Sequence, residues 1–211
     1  MDHKAFWTER YQSAESDFLF GREPSEFLIQ KRTMFKPQQS ALMIADGEGR
    51  NSVYLAKQGL KVTANDICEV AISRAMKLAE ESNSDINFVE CNILTDQWST
   101  KCDENLFDWV VGIFIQFTNA EERKKLFSFM KAMTKPNGRI LLLGYTPKQL
   151  EYKTGGPSAI ENLYTKELLE AAFQDWYVEE LDEYEKELSE GSGHNGISAL
   201  IGMIARKPSS A

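Results

Sequence analysis

The run Leu42-Met43-Ile44-Ala45-Asp46-Gly47-Glu48-Gly49-Arg50-Asn51 constrains the fold of this 211-residue chain more than any other segment. Its apolar start reads as a strand, and two glycines one residue apart carry that strand directly into a helix. A turn this tight lets the backbone approach a ligand closely, and the first amides of the helix offer donors to an anionic group. The same glycines also permit a short connection with no ligand at all, so the run alone does not identify a site. Asp66 adds a second feature. It stands about 20 residues beyond the loop, at the end of the next strand, where an acid can accept both hydroxyls of a ribose. The plainer reading of Asp66 is a solvated acid that caps the following helix.

Around this run, strand-like apolar segments alternate with amphipathic helical ones, the pattern of a parallel sheet with helices on both faces. Ser40 to Ala45, Leu60 to Asn65, Ile86 to Glu90, Phe107 to Ile115 and Arg139 to Gly144 read as strands. Phe107 to Ile115 is nearly all apolar, as a central strand covered on both faces requires. Helices are expected over Asn51 to Gln58, stopped by Gly59, and over Val70 to Glu81, where Val70, Ala71, Arg74, Ala75, Leu78 and Ala79 repeat at helical spacing. Asn119 followed by Glu122 forms a capping-box pattern for a third, with Leu126, Phe127, Met130 and Met133 as its apolar stripe. Pro136-Asn137-Gly138 is expected to turn, and Thr165 to cap a helix ending near Phe173. The apolar segment Gly196 to Arg206 follows the turn-forming Gly191-Ser192-Gly193. Its antiparallel partner is expected over Tyr177 to Leu188, although Val178, Leu181, Tyr184 and Leu188 are spaced more like a helix.

Length and ordinary globular composition predict a single domain over 1–211. No apolar run reaches the roughly 20 residues that cross a bilayer, and Met1 to Arg10 lacks the apolar stretch of a secretory signal, so a cytoplasmic chain with no membrane partner is expected. The net charge of −8 repels a phosphate backbone and argues against nucleic acid as a partner. Cys68, Cys91 and Cys102 are odd in number, lack C-x-x-C spacing and have two histidines to join them, which argues against a disulfide framework or a metal site.

The loop and its distant acid also suit a nicotinamide oxidoreductase. There, however, the third glycine of G-x-G-x-x-G packs helix against strand, and here that position is Ser52. With Phe6-Trp7-Thr8-Glu9-Arg10-Tyr11, Phe18-Leu19-Phe20-Gly21-Arg22-Glu23-Pro24, Phe107-Asp108-Trp109-Val110-Val111, Thr134-Lys135-Pro136-Asn137-Gly138 and His194-Asn195-Gly196-Ile197-Ser198-Ala199, the chain resembles class I S-adenosylmethionine-dependent methyltransferases over nearly its whole length. Within them it is most similar to the small tellurite-resistance and thiopurine methyltransferases. The resemblance implies an α/β, Rossmann-like fold with a seven-stranded, mostly parallel sheet, a C-terminal antiparallel hairpin and helices on both faces. It also implies S-adenosylmethionine as cofactor, S-adenosylhomocysteine as product and a small-molecule acceptor, with tellurite or a thiol as a soft nucleophile among the options. Cofactor contacts carried over are Trp7, Tyr11, Asp46, Gly47, Gly49, Asn51, Asp66, Ile67, Asn92, Ile93 and Ile113, and residues 1–35 become a helical cover.

Four positions depart from the family pattern. An acid on the first strand and a glycine two residues later are replaced by Met43 and Ala45, an aspartate after the third strand by Asn92, and a histidine after the fourth by Gln116. The first pair leaves a noncatalytic cofactor-binding module as a second reading. On the acceptor side Gln116, Tyr145, His194 and Arg22 are the candidates, each with a structural alternative: His194 as a hairpin residue, Arg22 as a surface arginine beside Glu23, and Trp7, Tyr11, Phe18 and Phe20 as ordinary core aromatics. The loop from Thr146 to Ile160, with Gly155, Gly156 and Pro157 suited to a shaped turn rather than a helix, is expected to cover the methyl group together with Met1 to Phe20.

Overall fold

A computed structural model of the chain describes residues 2–14, 18–95 and 107–209. Its seven strands form one sheet in the order β3-β2-β1-β4-β5-β7-β6. The chain divides into two compact units, the first made of Met1–Asp103 with Glu190–Gly193 and the second of Glu104–Ser189 with His194–Ala211.

In the first unit, helix α1 (His3–Gln12) is capped by the Asp2 carboxylate, which accepts from the Ala5 amide at 3.1 Å. The short α2 (Glu26–Gln30) leads to β1 (Ser40–Ile44), α3 (Arg50–Lys57), β2 (Lys61–Asp66), α4 (Glu69–Glu81) and β3 (Ile86–Glu90). The three strands are parallel, with Leu42 opposite Thr63 and Asp66 opposite Glu90. β1 stops one residue earlier than its apolar pattern suggests because Ala45 adopts φ 47°, outside the extended region. Gly59 ends α3 as expected, at φ 86°, where a side chain would be strained.

In the second unit, β4 (Phe107–Ile113) precedes α5 (Ala120–Met133), whose capping box is complete. Asn119 Oδ1 accepts from the Glu121 and Glu122 amides at 3.0 Å each, and Glu122 accepts from the Asn119 amide at 3.1 Å. Such a cap stabilises a helix by about 1 kcal/mol. There follow β5 (Thr134–Tyr145), α6 (Gln149–Tyr152), α7 (Lys166–Ala172, capped by Thr165), β6 (Tyr177–Glu190) and β7 (His194–Arg206). β4 and β5 are parallel, β5 and β7 antiparallel with Leu142 opposite Met203. Trp109, Val110, Ile140, Leu141, Leu142, Ile201, Met203 and Ile204 on these strands are fully buried.

Three segments differ from their sequence pattern. Tyr177 to Leu188 is extended despite its helical spacing, because pairing as the last strand of the sheet overrides local periodicity. Pro136-Asn137-Gly138 does turn, with Asn137 at φ 62°, but inside β5: the register passes from Phe107–Thr134 to Trp109–Arg139 across a bulge. The loop after β5 contains one helical turn, α6, although Gly155 and Gly156 do shape a turn, at φ 134° and 83°. No described helix is long and apolar enough to cross a membrane.

Candidate functional site

The link from β1 to α3 is built on left-handed backbone: Ala45, Gly47 and Gly49 have φ of 47°, 65° and 88°. Asp66, at the end of β2, holds this turn open. Its Oδ2 accepts from the Gly47 amide and its Oδ1 from the Cys68 amide, both at 2.9 Å. Burial pushes the Asp66 carboxyl up to about 6, against the pull of those amides. Asp46 is half-buried as a residue, but both its carboxylate oxygens are shut off from solvent. Burial raises it to about 6 as well, aided by the Asp66 charge and opposed by Ser52 and Arg50. Ser52 holds the carboxyl back only in part, since its hydroxyl is turned to the Gly49 carbonyl at 3.0 Å.

The N-terminal residues are fastened to this loop by three of its side chains. Glu48, buried, accepts from the Phe20 amide at 3.3 Å and from Arg74 at 2.7 Å, and Arg74 also donates to the Tyr11 carbonyl at 3.0 Å. Arg50 donates to the Glu23 carbonyl at 3.0 Å and pairs with Glu190 at 2.7 Å, while Asn51 Oδ1 accepts from the Ser25 amide at 2.8 Å. Tyr11 is thereby seated on the loop: a Cβ on Gly47 would lie 2.7 Å from its hydroxyl oxygen. Burial, then the charges of Asp66 and Glu48, push the Tyr11 phenol well above its ordinary range. Trp7 and Phe20 pack around it with ring centroids 5.9 and 6.2 Å away.

The remaining first-unit candidates divide by role. Gly49 is glycine for packing, since a Cβ there would come within 2.8 Å of Ala75 on α4. Ile67 packs against the Tyr11 and Leu19 cluster, Ile93 is buried, and Asn92 uses its Oδ1 to accept from the Leu94 amide at 3.0 Å. Arg22 pairs with exposed Glu81 rather than its neighbour Glu23, its guanidinium 4.9 Å from the Phe18 ring centre. The roles of Glu48 and Arg74 escaped the sequence reading, because nothing in a sequence marks a pair 26 residues apart as an ion pair.

In the second unit, Ile113 is buried at the end of β4, and Phe114 after it adopts φ 57°, an uncommon conformation for a bulky residue. Its ring stacks on Tyr145 at 4.7 Å and meets His194 edge-on at 4.2 Å. His194 opens β7, is buried, and forms a bridge with Gly155. Gln116 donates to the Tyr145 and Asn162 carbonyls at 2.9 and 3.1 Å and accepts from the Tyr145 amide at 2.5 Å. Both of its N–H bonds are thus directed to backbone. No sequence signal indicated Phe114.

The family comparison decides what this loop belongs to: residues 41–138 match the family described as "Methyltransferase domain". No curated protein matches the sequence. Among solved structures, one concerned with the conversion of a disulfide bond into a thioacetal group during echinomycin biosynthesis is similar at a TM-score of 0.77 and 17% identity, over 99% of this chain and 93% of that one. TehB from Haemophilus influenzae is similar at 0.68 and 20%, over 97% and 66%. Magnesium protoporphyrin IX methyltransferase (ChlM) from Synechocystis PCC 6803, solved with bound S-adenosylhomocysteine, is similar at 0.63 and 16%, over 86% and 78%. The chain shares the α/β fold of these structures. The left-handed glycine loop and the buried Asp66 carboxylate beside it would suit a nucleoside cofactor.

Proposed function

We propose that this protein transfers a methyl group from S-adenosylmethionine to a small-molecule acceptor whose reacting atom is a soft nucleophile, a thiol or a tellurite-type anion. The observation that carries this reading is the composition of the corner after β4 and β5. Phe114, Tyr145 and His194 present aromatic rings, and Gln116 is committed to backbone. Such a corner offers shape and one weak base, which suits an acceptor that needs little help losing a proton. The thioacetal chemistry named for one similar structure supports a sulfur acceptor. The fastening of Tyr11 and Phe20 to the loop through Glu48 and Arg74 supports the N-terminal segment as a cover that keeps large substrates and water out.

Bound cofactor supplies an electrophilic methyl group, and the protein's task is to orient the acceptor and exclude water. Asp66 is assigned to the ribose hydroxyls: each of its oxygens accepts one amide and keeps further lone pairs for a ligand. The Gly47 backbone lets the ligand approach closely. Ile67, Asn92, Ile93 and Ile113 are assigned to the adenosine, and Tyr145 or His194 to any proton the acceptor releases. Incubating the protein with S-adenosylmethionine and a panel of thiols, tellurite, phenols and amines, and measuring S-adenosylhomocysteine release, tests the reading. Turnover confined to phenols or amines rejects the soft acceptor, and cofactor binding without any turnover marks a binding module.

A further inference from the structure

The turn Gly191-Ser192-Gly193 between β6 and β7 belongs to the first unit, where it lies against Leu19 to Gly21 of the N-terminal segment. The Leu19 carbonyl accepts from the Gly193 amide at 3.1 Å and from the Ser192 hydroxyl at 3.5 Å. The contact is backbone against backbone: a Cβ on Gly191 would lie 2.4 Å from the Leu19 carbonyl oxygen and 2.5 Å from the Gly21 amide nitrogen. Gly191, at φ 67°, also serves the turn itself. Gly193 is not in the left-handed region, so its backbone does not call for glycine. What calls for it is Phe20, whose ring a Cβ there would meet at 2.4 Å. One guanidinium grips both partners. Arg50 donates to the Glu23 carbonyl at 3.0 Å and pairs with Glu190, at the base of the turn, at 2.7 Å, with both side chains largely buried.

The support given by the turn ends at the glycine loop. The turn seats Phe20, Phe20 meets the Tyr11 ring edge-on at 6.2 Å, and the Tyr11 hydroxyl fills the space beside Gly47 that a Cβ would take. A ligand reaching Gly47 from that side has to lift Tyr11 first. What holds the turn down is two hydrogen bonds and one ion pair, in a fit that has no room for an added methyl group. We propose that the β6–β7 turn is the latch of the N-terminal cover: docked on Leu19 to Gly21 it keeps the cover shut, and its undocking admits and releases the cofactor. This inference rests on the cofactor and cover readings above and names the element that controls them.

Gly193→Ala loads the latch without straining the turn. The added methyl strikes the Phe20 ring and gives the open state more population, so S-adenosylhomocysteine should both bind and dissociate at least about fivefold faster in stopped-flow tryptophan fluorescence. A turn that merely supported bound ligand would change dissociation alone. Faster dissociation with unchanged association therefore overturns the latch, as do two unchanged rates. In a Phe20→Ala background the same substitution should alter either rate by less than about twofold, because the ring it strikes is gone, and an undiminished effect overturns the assignment. Should the variants fail to fold, hydrogen exchange on the unaltered protein answers. The amides of Leu19 to Gly21 and of Gly191 to Gly193 should exchange at a common rate and slow together when S-adenosylhomocysteine is added. Exchange of one group without the other overturns the latch while leaving the cofactor reading in place. Failure of the unaltered protein to bind S-adenosylhomocysteine overturns the cofactor reading and this inference with it.

Discussion

The loop from Ala45 to Asn51 and the corner of Phe114, Gln116, Tyr145 and His194 are both largely shut off from solvent, yet they treat their polar groups in opposite ways. In the corner, the Gln116 amide is matched to two carbonyls and an amide of the backbone, and the rings pack on one another. In the loop, burial pushes both the Asp46 and Asp66 carboxyls up to about 6, and Ser52 and the backbone amides offset it only in part. A region whose polar groups are matched internally is finished by folding alone. One that buries unmatched charge is finished by a ligand, and the protein bears the cost in its free state.

The comparison can be broken most forcefully at Gly47. A Gly47→Val side chain would collide with the Tyr11 hydroxyl and be held at φ 65°, so cofactor affinity should fall by more than about 100-fold, with the fold checked by circular dichroism. Near-normal calorimetric affinity in a folded variant would remove the loop from the site. The next effect concerns acid. Folding raises the Asp46 carboxyl from its ordinary 3.8 to about 6, so its neutral form is the one the free fold favours. That contribution, about 3 kcal/mol, is fully present below pH 3.8 and is lost as pH rises through 6. Melting curves of the free protein should therefore decline more from pH 4 to 7 than those of Asp46→Asn, and identical pH slopes contradict this.

Asp66→Ala should weaken cofactor binding by about 1.5 to 3 kcal/mol, because the ribose loses its acceptor and the Gly47 amide its anchor. Gln116→Leu sharpens the contrast from the other side. It removes the Gln116 partner of the Tyr145 amide and of the Asn162 carbonyl, lowering stability by about 2 kcal/mol in urea titrations while cofactor affinity holds. A cofactor defect there would mean that the corner is not self-contained. Arg22→Ala should move neither melting temperature nor cofactor affinity, since its pair with Glu81 is solvent-exposed. A lost acceptor response in that variant would return Arg22 to the substrate side.

What the sequence discloses is local. Gly59, the Asn119–Glu122 box and the Thr165 cap each act within a few residues, and all three stand where their patterns put them. The parallel strands are legible because burial on both faces demands unbroken apolar runs. β6 is not, since the force that extends it comes from a neighbouring strand rather than from its own spacing. The loop's glycines are visible in the sequence, but their reasons differ: Gly47 makes room beside Tyr11, whereas Gly49 makes room for Ala75. Nor could the sequence show that Asp66 would meet the Gly47 and Cys68 amides, because that is set by which amides converge when β1 and β2 pair.

The last strand of the sheet carries a consequence for handling and for the cell. β6 has fourteen residues, and seven of them are Asp or Glu. An open strand of that length is a template on which further chains can add. Its carboxylates make such stacking self-limiting, since every added copy would bring the same charges into register. That protection depends on ionisation, so the protein should become most prone to self-association as the medium approaches its isoelectric point near 5.0.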